Sequence, residues 1–157
     1  MIDHSRIQQA IAEARRAATE AVVSTVRGRQ FDEVTSEAIQ YSRGDVVWYL
    51  EHRFNGAEVR DELKQEIDTA LTVNVASALA ERSNGEPELW RMAVLVAGDE
   101  WSEYLGEQVI PAARRLLRLH ARAIDRVAEL LALGMNLNRN QVTEIVADAS
   151  LPNFGTA

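Results

Sequence analysis

The stretch AATEAVVSTVRGRQFDEVT, Ala17 to Thr35, decides how this chain is read. Its first half sets small apolar residues at helical spacing. A glycine follows, and then a segment with a different rhythm. Upstream, Ile7, Ile11, Ala14 and Ala18 lead into Ala21 or Val22 and then Thr25, at the 3.6-residue period of a helix. Ser5 and Gln8 have the spacing of a capping box at its start. Gly28 stands where a C-cap glycine belongs. From Arg29 to Gly44 the helical pattern weakens. There Phe31, Val34 and Ile39 predict short extended pieces packed on helices.

Downstream the helical rhythm returns. Asp45 is a suitable N-cap for VVWYLEHRF, which stops at Asn55-Gly56. A longer helix is expected from about Ala57 to Arg82, with acids Glu58, Asp61 and Glu62 in its first turns. Its apolar stripe is Leu63, Ile67, Leu71, Val75 and Leu79. Pro87 suits the first turn of the next helix, which Gly98-Asp99 breaks or bends. Pro111 opens or kinks a further helix that ends at Gly134. Asn138 or Asn140 caps a short last one. The expectation is an all-α, single-domain bundle of about six helices over residues 1–150, with room for a short extended segment around 29–44. Residues 151–157 read as a loose tail.

Composition narrows the chemistry. At 157 residues with 46% hydrophobic content, the chain can bury a core of roughly 70% of its unfolded surface. It has no cysteine, which excludes disulfides and thiolate chemistry. No apolar run approaches the roughly 20 residues needed to span a bilayer, and the amphipathic start lacks a signal core. A cytoplasmic location without membrane contact is expected. The net charge of −7 disfavours nucleic acid. Of the 17 basic residues only Lys64 is a lysine. Arginine suits planar, bidentate ion pairing, and a GC-rich coding sequence gives the same bias.

The three histidines, His4, His52 and His120, have no histidine or carboxylate at i±3 or i±4, the spacing of a helical metal pair. No G-x-S-x-G elbow, P-loop or dinucleotide fingerprint occurs. Arg115, Arg118, Arg122 and Arg126 are spaced to line one helix stripe, open to an acidic partner or to acids on neighbouring helices. Trp48, Tyr49, Trp90, Trp101 and Tyr104 suit an aromatic cluster in the core or at its rim.

The opening stretch resembles the zinc-peptidase domain of the FtsH-type AAA proteases and their stand-alone relatives. That family's first helix reads HEAGHAVV, followed by a glycine, an aromatic and V-T. Here Val22-Val23, Gly28, Phe31 and Val34-Thr35 are similarly arranged. ASALAERSNG (Ala76 to Gly85) is similar to the family's alanine-glycine-alanine-glutamate helix. ARRLLRLHARAIDRVAELLALGMNLNRNQVTEIV resembles its closing helices. The resemblance covers most of the chain in order. It implies a helical peptidase fold, but with the site altered. The two zinc histidines fall on Arg16 and Glu20, and the catalytic glutamate on Ala17. A shifted register that keeps Glu20 as the glutamate puts Thr19 and Val23 at the histidine positions. Glu88 stands nearest the third ligand. A catalytic zinc needs three protein ligands and an open position, so no metal and no cofactor are expected. An Arg16–Glu20 pair at i and i+4 would stand where the metal did.

The function expected is therefore a non-catalytic interaction protein, a degenerate peptidase-like domain that binds a protein partner, with homo-oligomerisation open. Two alternatives stand beside it. One is a small acidic accessory or inhibitor protein of a phage or mobile element, acting through the Glu58–Asp68 face. The other is an enzyme whose site is assembled from distant residues such as His52 or His120 with carboxylates.

Overall fold

The computed structural model describes residues 4–43, 61–80 and 88–150, with backbone alone at 4, 61, 62, 88–91 and 150. The predicted helix VVWYLEHRF, with its cap Asp45 and with His52, lies outside the described residues, as do Pro87 and the tail 151–157.

Helix α1 (His4–Arg27) is the centre of the molecule. It already includes His4, so Ser5 lies within its first turn and not at a cap. From Ala14 to Ser24 only Arg16 is exposed. Burial on nearly all sides is what a helix of small residues permits, because alanine and valine let neighbours approach closely. Gly28 closes α1 at φ +84°, and the Arg29 N–H donates to the Ser24 carbonyl at 2.8 Å. This six-to-one bond satisfies a carbonyl that the helix end would leave open.

The extended segment is a hairpin. Strands β1 (Phe31–Val34) and β2 (Ile39–Tyr41) pair antiparallel. Simple alternation would put Phe31 and Val34 on opposite faces, yet both are buried. A bulge between Phe31 and Glu33 resolves this: one extra residue turns both apolar side chains to the core. Thr35 holds the turn, its hydroxyl oxygen accepting from the N–H groups of Glu37 and Ala38. A third strand, β3 (Leu137–Asn138), completes a sheet of order β2-β1-β3.

Helix α2 (Asp61–Ala80) packs against α1. Helix α3 (Glu88–Ala97) returns along α2 and ends at Gly98, where a 3₁₀ turn (Gly98–Glu100) leads into one α-helical turn, α4 (Trp101–Tyr104). Gly98-Asp99 therefore breaks the helix. Next comes a π-helical segment, Leu105–Val109, in which the Ile110 N–H reaches back five residues to Leu105. Pro111 explains it. Proline has no N–H and its ring crowds the carbonyl four residues earlier, and a widened turn relieves both. Helix α5 (Ile110–Leu119) and helix α6 (Ala121–Ala132) follow. The single helix expected from Pro111 to Gly134 is thus two, separated at His120 with φ −114° and ψ 20°. Gly134 (φ +88°) closes α6 with the paired bonds of a Schellman turn. Helix α7 (Arg139–Ser150) is capped by Asn138, not Asn140. Asn138 Oδ1 accepts from the Gln141 N–H at 2.9 Å, and Gln141 Oε1 accepts from the Asn138 N–H at 2.8 Å. This is a complete capping box.

The result is an all-α bundle in one domain, with a small sheet at one flank. Its interior has two main parts on either side of α1. Val22 joins Phe31, Val34, Ile124, Val127 and Leu131 in one. Its neighbour Val23 joins Leu71, Val73, Val109 and Leu116 in the other. No helix of the described residues is long and apolar enough to cross a membrane.

Candidate functional site

The residues that the peptidase resemblance singles out lie midway along α1. Arg16 is half-exposed, and its Nε is 3.6 Å from Oε1 of Glu20. The expected i, i+4 pair is therefore present. The three positions between them are buried. Ala17 is only 3% exposed and packs in the core between α1, α6 and the sheet. A carboxylate there would stand among apolar side chains and not in an open cleft. The side chain of Glu20 is 14% exposed. Thr19, the histidine position of the shifted register, is fully buried and donates its hydroxyl to the Arg15 carbonyl at 2.7 Å. Val23, the other, is wholly in the core.

A partly buried carboxylate needs donors, and Glu20 finds them on three elements. The phenol of Tyr41 on β2 donates to Oε2 at 3.1 Å. The hydroxyl of Ser77 on α2 donates to Oε1 at 3.3 Å. Arg16, one turn away on α1, supplies the ion pair. Tyr41 is itself held from two further directions. Its oxygen lies 3.4 Å from the Ser24 hydroxyl, and the Arg29 guanidinium stacks 3.5 Å from its ring centroid. Arg29 is 6% exposed. Burial, and then the Glu20 charge, push the Tyr41 phenol well above its usual range, while Arg29 and Ser24 partly oppose them. The phenol remains a neutral donor at any physiological pH.

This polar pin ties α1, α2 and the hairpin together. Sequence reasoning reached Arg16 and Glu20 but missed Tyr41, Ser77, Ser24 and Arg29. Tyr41 is 21 residues from Glu20 and Ser77 is 57, so no helical spacing reveals them.

The position fits zinc poorly. A guanidinium, a methyl group and a carboxylate already engaged by two hydroxyls stand where two imidazoles and a base would be required. Glu88 is the first described residue of α3, and its side chain lies outside the described part. Among the described residues no group of three or more histidine, cysteine, aspartate or glutamate side chains could hold a metal ion. His4 opens α1, far along the helix from Glu20. His120 sits between α5 and α6, where partial burial lowers its pKa. No described carboxylate pairs with it.

Arg115, Arg118, Arg122 and Arg126 are all exposed. The break at His120 divides them between α5 and α6, so they do not form the one continuous stripe expected. Arg126 meets Glu129 at 3.4 Å. Of the Glu58–Asp68 face, the side chains of residues 58–62 lie outside the described part. Asp68, at its end, accepts a hydrogen bond from the Tyr104 phenol. Of the aromatic cluster, Trp48 and Tyr49 and the side chain of Trp90 lie outside the description; Tyr104 is buried in the second core with Trp101 packed against it.

Beside Arg16 the surface opens into a cleft of about 490 Å³, bounded by α1, the β1–β2 turn and the C-terminal end of α6. Ala10, Glu13 and Arg16 line it from α1, Glu37 from the turn, and Leu131 and Gly134 from the end of α6. Comparison with known proteins found no matching family model, no matching curated protein and no matching solved structure.

Proposed function

We propose that this protein is a non-catalytic, peptidase-like helical domain that acts by binding a protein partner. One observation carries the reading: both oxygens of Glu20 are engaged by the chain's own donors, Tyr41, Ser77 and Arg16. A carboxylate meant for a metal or a proton transfer must be able to reach its ligand or substrate. Glu20 instead bridges three elements, and the adjacent Ala17 is sealed in the core. The centre of α1 then serves to hold the scaffold rigid, and recognition falls to the surface. The ordered similarity to the peptidase helices supports descent from an enzyme whose metal site became an internal tie.

The test is metal analysis of the purified protein alongside hydrolysis of an unstructured protein such as casein. Substoichiometric zinc after dialysis and no hydrolysis are expected. Stoichiometric, dialysis-resistant zinc together with cleavage would overturn the reading.

A further inference from the structure

We infer that the cleft between α1, the β1–β2 turn and the end of α6 docks a short basic-apolar peptide segment of a partner protein. The inference rests on the binding reading above and names the chemistry of what is bound. At about 490 Å³ the cleft is of a size that takes one or two side chains. Its apolar lining is Ala10, Leu131 and Ala132, with Ser36 beside them. Its ionisable lining is two glutamates, Glu13 and Glu37, and one arginine.

The charges do not cancel. Arg16 is drawn along the helix toward Glu20, Nε to Oε1 at 3.6 Å. Glu13 accepts one bond, from Gln9 Nε2 at 3.2 Å, and neither glutamate has an ion-pair partner among the described residues. The C-terminal end of α6 also borders the cleft, and a helix C-terminus carries partial negative charge that favours a cation. Two carboxylates and a helix C-terminus select a guanidinium or ammonium group. The net charge of −7 on the chain would steer such a segment inward.

Leu133 and Met135, the chain neighbours of the lining residue Gly134, are 74% and 44% exposed. Leu133 is the most exposed of the large hydrophobic residues described. An apolar neighbour of the basic residue would cover them and remove them from water.

The experiment is fluorescence anisotropy with two labelled peptides, Ac-Leu-Ala-Arg-Leu-Ala-NH2 and the same peptide with glutamate in place of arginine. The arginine peptide is expected to bind at least about tenfold tighter, in a salt-sensitive manner. The double variant Glu13→Gln, Glu37→Gln should lose that preference. Leu133→Ser should weaken binding of the arginine peptide, and Arg114→Gln should leave it unchanged. All these positions are exposed, and unchanged circular dichroism verifies that each variant folds. Equal binding of the two peptides, or no response to the glutamate variants, would overturn the inference. So would a dimer that Leu133→Ser converts to monomer while neither peptide binds, because a second copy would then be the occupant. Mass spectrometry of the same samples separates the two readings. Cleavage of the arginine peptide that depends on Glu13 and Glu37 upholds the cleft and sinks the non-catalytic function. An intact peptide bound without regard to those glutamates sinks the cleft alone.

Discussion

The Tyr41 phenol donates its proton to Oε2 of Glu20 at 3.1 Å, which fastens the hairpin to the middle of α1. The same carboxylate takes the Ser77 hydroxyl from α2. Glu20 therefore works as an acceptor shared by two elements, and its ion pair with the half-exposed Arg16 is secondary. Removing the acceptor leaves two hydroxyls without it, at a cost of about 2–3 kcal/mol. Removing the exposed cation costs only a few tenths. Urea denaturation of Glu20→Ala and Arg16→Ala should separate them in that order. Equal losses would mean that the ion pair holds the carboxylate.

Alkaline pH should weaken the fold through two tyrosines. The phenols of Tyr41 and Tyr104 are both raised, chiefly by burial, with Glu20 or Asp68 adding to it. The folded state thus keeps protons that the unfolded chain releases above about pH 10. The stability these groups contribute is complete below that pH and falls as pH rises toward the folded values. Each contributes a slope of up to about 1.4 kcal/mol per pH unit. Urea midpoints between pH 8 and pH 11.5 should fall less steeply in Tyr41→Phe than in the parent. Identical slopes would place Tyr41 outside this linkage.

Gly28 ends α1 at φ +84°, and a Cβ built there meets nothing within 4 Å. Space is therefore not the constraint; the backbone conformation is. Gly28→Ala should cost about 1 kcal/mol and Gly28→Asn less, because asparagine visits the left-handed region more readily. A thermal melt in which alanine is tolerated freely would show that the turn relaxes.

The two parts of the interior should respond independently. Leu71 and Leu131 are each 1% exposed or less and lie in different clusters. Each substitution to alanine should cost about 2–5 kcal/mol. The losses should add to within about 0.5 kcal/mol, provided the double variant still folds enough to measure. A large departure would mean that α1 transmits strain from Val22 to Val23.

Zinc should leave the melting temperature unchanged. A folded-state site with zinc at 100 times its Kd would add about 2.7 kcal/mol. A calorimetric scan with zinc that matches one with EDTA agrees with the non-catalytic reading, and a rise with zinc counts against it.

Much of the helical plan was legible because each helix carries its own period and punctuation. Gly28, Gly134 and Asn138 end or begin helices by local chemistry, which sequence reports directly. Other features depended on partners. Phe31 and Val34 break strand alternation, and only the bulge explains why both face inward. The helix break at His120 and the π-helical segment before Pro111 were not visible in the apolar pattern. At the site, Arg16 and Glu20 were singled out by the peptidase resemblance, and their four-residue spacing predicted only that the two would pair. Tyr41 and Ser77 come from other elements, and no local signal pointed to either.

The sequence by itself determined the helical class and the helix ends at Gly28, Gly134 and Asn138, because these follow from i to i+4 interactions and capping. It also determined that no two imidazoles stand four apart on α1. Only the tertiary structure decided what those positions became. Ala17 is sealed because α6 and the sheet cover it, and Glu20 is engaged because α2 and β2 bring hydroxyls to it. Burial and shared hydrogen bonds are properties of neighbours, and neighbours distant in the chain exist only once it has folded.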